Sequence, residues 1–176
     1  MFITAFITGI ASWTLTEYLM HRFLGHVHKG KNFFKKEHLQ HHSKSNYFAP
    51  AYKKAVMAVV VSAVLCTVLS LLTSFTVAIA FTLGFAGMYG LYEVTHARFH
   101  SKDPIAKPFI VLRKHHFYHH FHNPRFNHGV TTRIWDRVFG TLKTVEIVKV
   151  PRQMSMSWLV ADEQIKSPYT KDFQLS

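Results

Sequence analysis

The sequence predicts an all-α integral membrane protein, with about three transmembrane helices and a histidine-rich helical cap on the cytoplasmic face. Three observations predict it. The 176 residues carry 21 Lys and Arg against 9 Asp and Glu, yet 48% are apolar, so charge and hydrophobicity must be segregated along the chain. The run from Ala55 to Tyr92 contains no charged residue. The 14 histidines all lie in or at the edge of two basic segments outside the apolar runs.

The first element is Phe2 to Met20, nearly all apolar or small, with Glu17 as its one charge. No basic leader precedes it and no small-residue cleavage site follows, so it is expected to be a retained span and not a secretory signal. As one helix, Ala55 to Tyr92 would measure about 57 Å, too long for a single crossing of a roughly 30 Å hydrocarbon slab. It must fold back. The polar Thr73-Ser74 pair within Leu72 to Phe75 is the predicted turn, giving spans over 55–72 and 75–92. The whole chain, 1–176, reads as a single membrane domain with a C-terminal tail over 142–176.

Charge placement sets the topology. Eight Lys and Arg lie in Arg22 to Lys54 and thirteen from Arg98 onward, and none flanks the N-terminus or the turn. The tendency of cytoplasmic segments to be basic puts both groups on the cytoplasmic side, and the hairpin brings them to one membrane face. Cations beside spans hold a domain against anionic headgroups. Nucleic-acid binding would also use the charge of +12, but no recognised binding motif accompanies it. Disorder is excluded by the apolar and aromatic content. Cys66 is the only cysteine, which removes disulfides and cysteine-based zinc sites.

The histidine spacing carries the chemistry. His38, His41 and His42 form H-x-x-H-H, and His116, His119 and His120 repeat it. Offsets of three and four residues bring side chains to one helix face, so each triplet is expected to converge on a common point. His96 and His100 are a further same-face pair. His21 and His26 are five apart, which requires the helix to break near Gly25 if both rings are to meet; His28, two turns from His21, competes with His26. Neutral imidazole is the commonest side-chain metal ligand, and ten rings exceed the roughly four to six positions around one ion. Two ions are the natural count. Glu17 and Glu93 stand where each can either accept the remote ring N–H of His21 or His96 or pair with Arg22 or Arg98. His28, His115, His122 and His128 have no required ligand role; His128 is the nearest candidate for addition. Gly84, Gly87 and Gly90 read as a helix-packing stripe.

These segments, Glu17 to His26, His38 to His42, His96 to His100 and His116 to His120, together with the closing Gly129 to Thr141, resemble the fatty acid hydroxylase superfamily of membrane di-iron histidine-box oxygenases. Within it, Glu17-Tyr18-Leu19-Met20-His21-Arg22-Phe23-Leu24, Leu91 to His96 and Gly129-Val130-Thr131-Thr132 are most similar to fatty acid 2-hydroxylases. The resemblance implies metal ligands at His21, His26, His38, His41, His42, His96, His100, His116, His119 and His120. It implies two iron ions, zinc being able to replace them in purified samples, with O2 as cosubstrate and a lipid acyl chain drawn from the bilayer. Eukaryotic relatives often carry a fused cytochrome b5 domain and four spans. Here three spans are counted and no such domain is found, so a separate cytochrome b5-like or ferredoxin-like electron donor is expected. Carotenoid or sterol oxidation is the rival substrate class. A non-catalytic membrane metal-binding protein is the rival outside enzymes, though transporters place ionisable ligands at the midplane, where this chain has none. Past Thr141 no motif stands out; Thr144 to Val150 alternates weakly like a strand, and the tail is expected only to pack over the site.

Overall fold

The computed structural model describes residues 1–101 and 107–176. Its helices are α1 (Phe2–Leu19), which passes directly into a π-helix (Met20–Val27), α2 (Phe33–Ser43), α3 (Ala51–Leu72), α4 (Phe75–Ser101), α5 (Lys107–Phe121) and α6 (Ile134–Val138). Four short strands follow: β1 (Val148–Val150), β2 (Val160–Ala161), β3 (Gln164–Ile165) and β4 (Phe173–Leu175). The protein is mostly helical, but the tail departs from an all-α architecture. The described residues divide into two compact units, Met1–Thr16 with Ala49–Val94, and Glu17–Phe48 with Thr95–Ser176.

The first unit contains two helices long and apolar enough to cross a membrane, α3 and α4. α3 has no buried residue; Val59, Val64 and Leu71 are among its exposed apolar side chains. A soluble core helix would hide such a surface. The predicted turn falls at Thr73-Ser74. No Gly or Pro is needed there, because the Thr73 N–H and hydroxyl both donate to Leu69 O, and Ser74 Oγ accepts from Val77 N. Ser and Thr stop helices in this way by offering local partners to the backbone. Lys54 in the first turn of α3 forms an ion pair with Glu93 near the end of α4, 39 positions away, so the chain does double back. α3 begins four residues before the predicted span and α4 runs nine beyond it, the charged ends extending each helix.

α1 packs on α4 through Trp13, whose ring lies 5.2 Å from Phe85, 4.8 Å from Tyr89 and 5.8 Å from Tyr92. Gly9 and Gly84 permit this approach. A Cβ on Gly9 would run into Phe81 O and one on Gly84 into Phe6 O. Gly87 and Gly90 have open space around them, so the expected three-glycine stripe reduces to Gly84, and its counterpart is Gly9.

The second unit carries all but two of the Lys and Arg residues. α2 starts at Asn32, whose side chain accepts from Lys35 N at 2.7 Å, the usual N-cap bond. In the tail, β1 pairs in parallel with β4, Val148 opposite Phe173 and Val150 opposite Leu175, and β2 pairs antiparallel with β3. Val148, Val150, Leu159 and Phe173 are fully buried with Phe117 of α5. The tail therefore supplies core, which corrects the expectation of a mere cover.

Candidate metal centre

The ten histidines picked out by spacing are brought together in the second unit as two sets of five. One set is His21, His26, His38, His42 and His119; the other is His41, His96, His100, His116 and His120. Within each set the candidate ligand atoms all lie within 4.8 Å of one another.

The sets do not follow the boxes. α2 gives His38 and His42 to the first set and His41 to the second; α5 gives His119 to the first and His116 and His120 to the second. Residues four apart differ by only about 40° around a helix, whereas the third ring of H-x-x-H-H leans to the other side. The expectation that each triplet meets at one point is corrected: each straddles two points. His42 and His120 stack face to face where the sets adjoin, ring centroids 4.1 Å apart and 5° from parallel.

His21 and His26 meet without any break at Gly25. From Met20 to Val27 the helix widens to π geometry, closing on His28 N→Phe23 O at 2.8 Å. An i→i+5 hydrogen-bond pattern places residues five apart above one another, and the two rings lie 5.4 Å apart. Gly25 serves a different end, since a Cβ there would press on the His38 ring at 2.9 Å.

Hydrogen bonds from three of the rings fix their tautomers. His41 Nδ1 meets Tyr47 O at 2.6 Å, His119 Nδ1 meets Phe126 O at 2.7 Å and His21 Nδ1 meets His128 O. A carbonyl only accepts, so each Nδ1 holds the proton and each Nε2 presents a lone pair. His119 Nε2 then faces His26 Nε2 at 2.9 Å and His42 Nε2 at 3.2 Å, and His41 Nε2 faces His96 Nε2 at 2.9 Å. The Nε2 atoms of His21 and His120 are buried without a hydrogen-bond partner, at a cost of about 1–3 kcal/mol each. Lone pairs aimed at close-set ring nitrogens and orphaned buried nitrogens are the condition that a cation in each set relieves, so the residues present fit a pair of metal ions.

The electrostatics agree. Burial, reinforced by neighbouring imidazoles, holds His21, His38, His116, His119 and His120 well below the ordinary histidine range. Burial likewise lowers His26 to about 4 and His42 to about 2. Neutral rings are the metal-binding form. An all-imidazole set suits iron, zinc, copper or nickel.

The two acidic residues do neither thing expected of them. Glu17 accepts from Val130 N, Thr131 N and Thr131 Oγ1, and Glu93 pairs with Lys54. The partner of His21 is instead a backbone carbonyl. Of the remaining histidines, His28 is exposed, with its Nδ1 accepting from Gly30 N at 3.0 Å, and His122 accepts from Lys149 N at 2.9 Å. His128 joins neither set, although its ring packs edge-on against that of His21 at 5.6 Å; its hydrogen bond to His21 is made through the carbonyl. His115 donates from Nε2 to Asp136 Oδ2 at 3.0 Å. Burial would raise the Asp136 carboxyl, but His115, His128 and the Gly129 N–H outweigh it and hold it well below the usual carboxylate range.

Asp136, Phe126 O, Tyr47 O and Trp158 are participants that the histidine count did not reveal. Trp158 Nε1 donates to His100 O at 3.0 Å, and its ring lies 3.9 Å from the buried Arg113 guanidinium carbon. Only Asp136 had a sequence signal, its place inside Gly129 to Thr141.

Comparison with known proteins bears on this geometry. The sequence model of the fatty acid hydroxylase family matches residues 6–141. A dihydroceramide fatty acyl 2-hydroxylase of Arabidopsis thaliana is 32% identical over 142 residues, which cover 78% of this chain and 60% of the relative. The fatty acid 2-hydroxylase of Rattus norvegicus is 35% identical over 81% of this chain and 40% of its own length. A ceramide very long chain fatty acid hydroxylase of Schizosaccharomyces pombe is 33% identical, covering 79% of this chain and 42% of its own length. The solved structure of full-length scs7p, in which only the hydroxylase domain is visible, superposes with a TM-score of 0.64 at 26% identity, covering 80% of this chain and 56% of that one. The chain thus spans between two fifths and three fifths of these relatives.

Proposed function

This chain belongs to the fatty acid hydroxylase family, and on that premise we propose that it is a membrane di-iron enzyme that hydroxylates a lipid acyl chain, in the manner of the fatty acid 2-hydroxylases. The observation that carries the proposal is the sorting of ten imidazoles into two sets of five, six of the rings buried and four half-buried. Iron bound there would supply the activation of O2 for insertion of one oxygen atom into an unactivated C–H bond. The balance is one C–H, one O2, two electrons and two protons in, one C–OH and one water out. The electrons come from a one-electron carrier of the cytochrome b5 or ferredoxin kind.

The protein's own contributions follow from its residues. His21, His26, His38, His42 and His119 hold one ion, and His41, His96, His100, His116 and His120 the other. Carbonyls of Tyr47, Phe126 and His128 keep Nδ1 protonated on three rings and so keep Nε2 free. Burial excludes water and keeps the rings neutral. α1, α3 and α4 form three spans, with the lysine- and arginine-rich segments cytoplasmic by their charge; amine labelling of Lys36 and Lys114 from the same side of sealed vesicles checks this, and opposite sides would refute it.

The test of function is lipid analysis of cells with and without the chain. A gain of one oxygen, at C2 of the acyl group, is expected. His41→Ala and His119→Ala, one from each set, should each abolish that product while insertion persists. Turnover by either variant, or no oxidised lipid from the wild type, would defeat the proposal.

A further inference from the structure

We infer that Glu17 and Asp136 form a two-carboxylate clamp that positions His21 through the loop between them, and that the clamp governs only one of the two metal positions. This rests on the two-ion proposal above. The loop runs from His128 to Thr131, and its four successive backbone N–H groups all point at carboxylates. His128 N donates to Asp136 Oδ1 and Gly129 N to Oδ2, each at 2.8 Å. Val130 N and Thr131 N donate to Glu17 Oε1, at 2.5 and 3.0 Å, and Thr131 Oγ1 donates to Oε2 at 2.5 Å. With its N–H groups so committed, the loop has a fixed orientation, and the His128 carbonyl accepts from His21 Nδ1.

The clamp is itself held. Asp136 is fully buried and Glu17 is 4% exposed. Thr141 Oγ1 donates to Asp136 Oδ1 at 2.8 Å and lies 2.9 Å from Tyr18 Oη, to which Arg22 donates. Gly129 has no room for a side chain, because a Cβ would run into Thr132 O. Upstream, Asn127 sits at φ 61° in the left-handed region, where asparagine is among the few side-chain-bearing residues tolerated. Its side chain donates to Lys143 O at 2.8 Å and accepts from Lys143 N at 2.7 Å.

Selectivity follows from what this segment touches. Phe126 O serves His119 and His128 O serves His21, both members of one set. In the other set, His41 leans on Tyr47 O, from a different part of the chain. This segment bridges toward that other set through His115, which precedes His116 on α5, donates to Asp136 and accepts from Asn127 at its carbonyl. Substitutions at Glu17 and Thr131 avoid that bridge. Groups that orient a ligating histidine are typically worth 10- to 100-fold in metal affinity.

The test uses the full chain purified in detergent and loaded with Fe(II) or Zn(II) alone, with ions per chain counted by elemental analysis and release timed with a chelator. Wild type should hold two ions. Glu17→Gln and Thr131→Val should hold one at the wild-type release rate and lose the other 10- to 100-fold faster, whereas Thr131→Ser, which keeps the hydroxyl, should behave as wild type. Should Glu17→Gln fail to yield monodisperse protein, the Thr131 pair decides. Two ions released at wild-type rates from Thr131→Val, or both released faster together, would overturn the clamp while leaving the two-ion proposal standing. A wild-type chain that takes up fewer than two ions would instead defeat that proposal.

Discussion

Replacing Trp158 tests whether the tail is part of the scaffold of the candidate metal centre. Its Nε1 donates to the carbonyl of His100, which lies in the last turn of α4, where carbonyls lack intrahelical partners. Trp158→Phe keeps a ring against Arg113, Phe117 and Phe173 and removes only the N–H. Leaving that buried carbonyl without its donor costs about 1–3 kcal/mol. Trp158→Ala also opens a cavity and strips the face from the fully buried Arg113 guanidinium, and large aromatic truncations of this kind cost about 3–5 kcal/mol. For a chain of this size, 1 kcal/mol moves Tm by about 2–4 °C. The expected losses are therefore about 2–12 °C for Trp158→Phe and about 6–20 °C for Trp158→Ala. Melting of metal-free protein in detergent, followed by circular dichroism at one scan rate, measures both. A Trp158→Ala protein melting within a degree of wild type would show that the tail braces nothing.

Further outcomes follow from other features. His122→Ala should leave hydroxylation intact, since that ring only accepts from the Lys149 backbone at an exposed site; loss of product would mean that the ligand sets are misassigned. Gly84→Ala and Gly9→Ala should destabilise the α1–α4 packing, because the added methyl meets facing backbone, while Gly87→Ala and Gly90→Ala, in open space, should be neutral or slightly stabilising by helix propensity; equal melting of all four would remove the distinction. Acid should destabilise the metal-free chain. His26 titrates at about 4 when folded against 6.5 ordinarily, so the unfolded chain takes up the proton first; the stability from its neutral ring is complete above about pH 6.5 and is lost as pH falls toward about 4. Urea midpoints at pH 7, 5.5 and 4.5 should fall in that order, and a constant midpoint would contradict it.

Much of this was legible in the sequence, because a long uncharged run and clustered histidines each admit few arrangements. An uncharged run too long for one crossing has to turn, and Thr73-Ser74 is its polar point. Ten histidines in four clusters announce a shared site. What escaped is what three-dimensional context decides. The five-residue step from His21 to His26 is awkward on an α-helix, and only the structure shows the backbone adopting π geometry to accommodate it. The division of each H-x-x-H-H between two sets depends on where the facing helix lies, which spacing alone does not fix. Glu17 stands four residues before His21, a natural partner by helical offset, yet it binds a loop more than a hundred positions away. Backbone carbonyls have no sequence signature at all, so Tyr47, Phe126 and His128 were invisible as acceptors. In the tail, short strands with one parallel pairing leave little periodicity to read.

Trp158 also sets an order of events during synthesis. The last of the ten rings, His120, precedes it by thirty-eight residues, an interval of about two to eight seconds at ordinary translation rates. For those seconds the ribosome has delivered all ten imidazoles of the two sets but not the indole that closes the end of α4, nor Met154, whose carbonyl accepts from Ser45 just beyond α2. A nascent chain stalled short of Met154 would carry all ten histidines and lack the bracing of both helix ends. Affinity tags and fusions for producing this protein therefore belong away from β4, whose pairing with β1 locks that bracing segment in place.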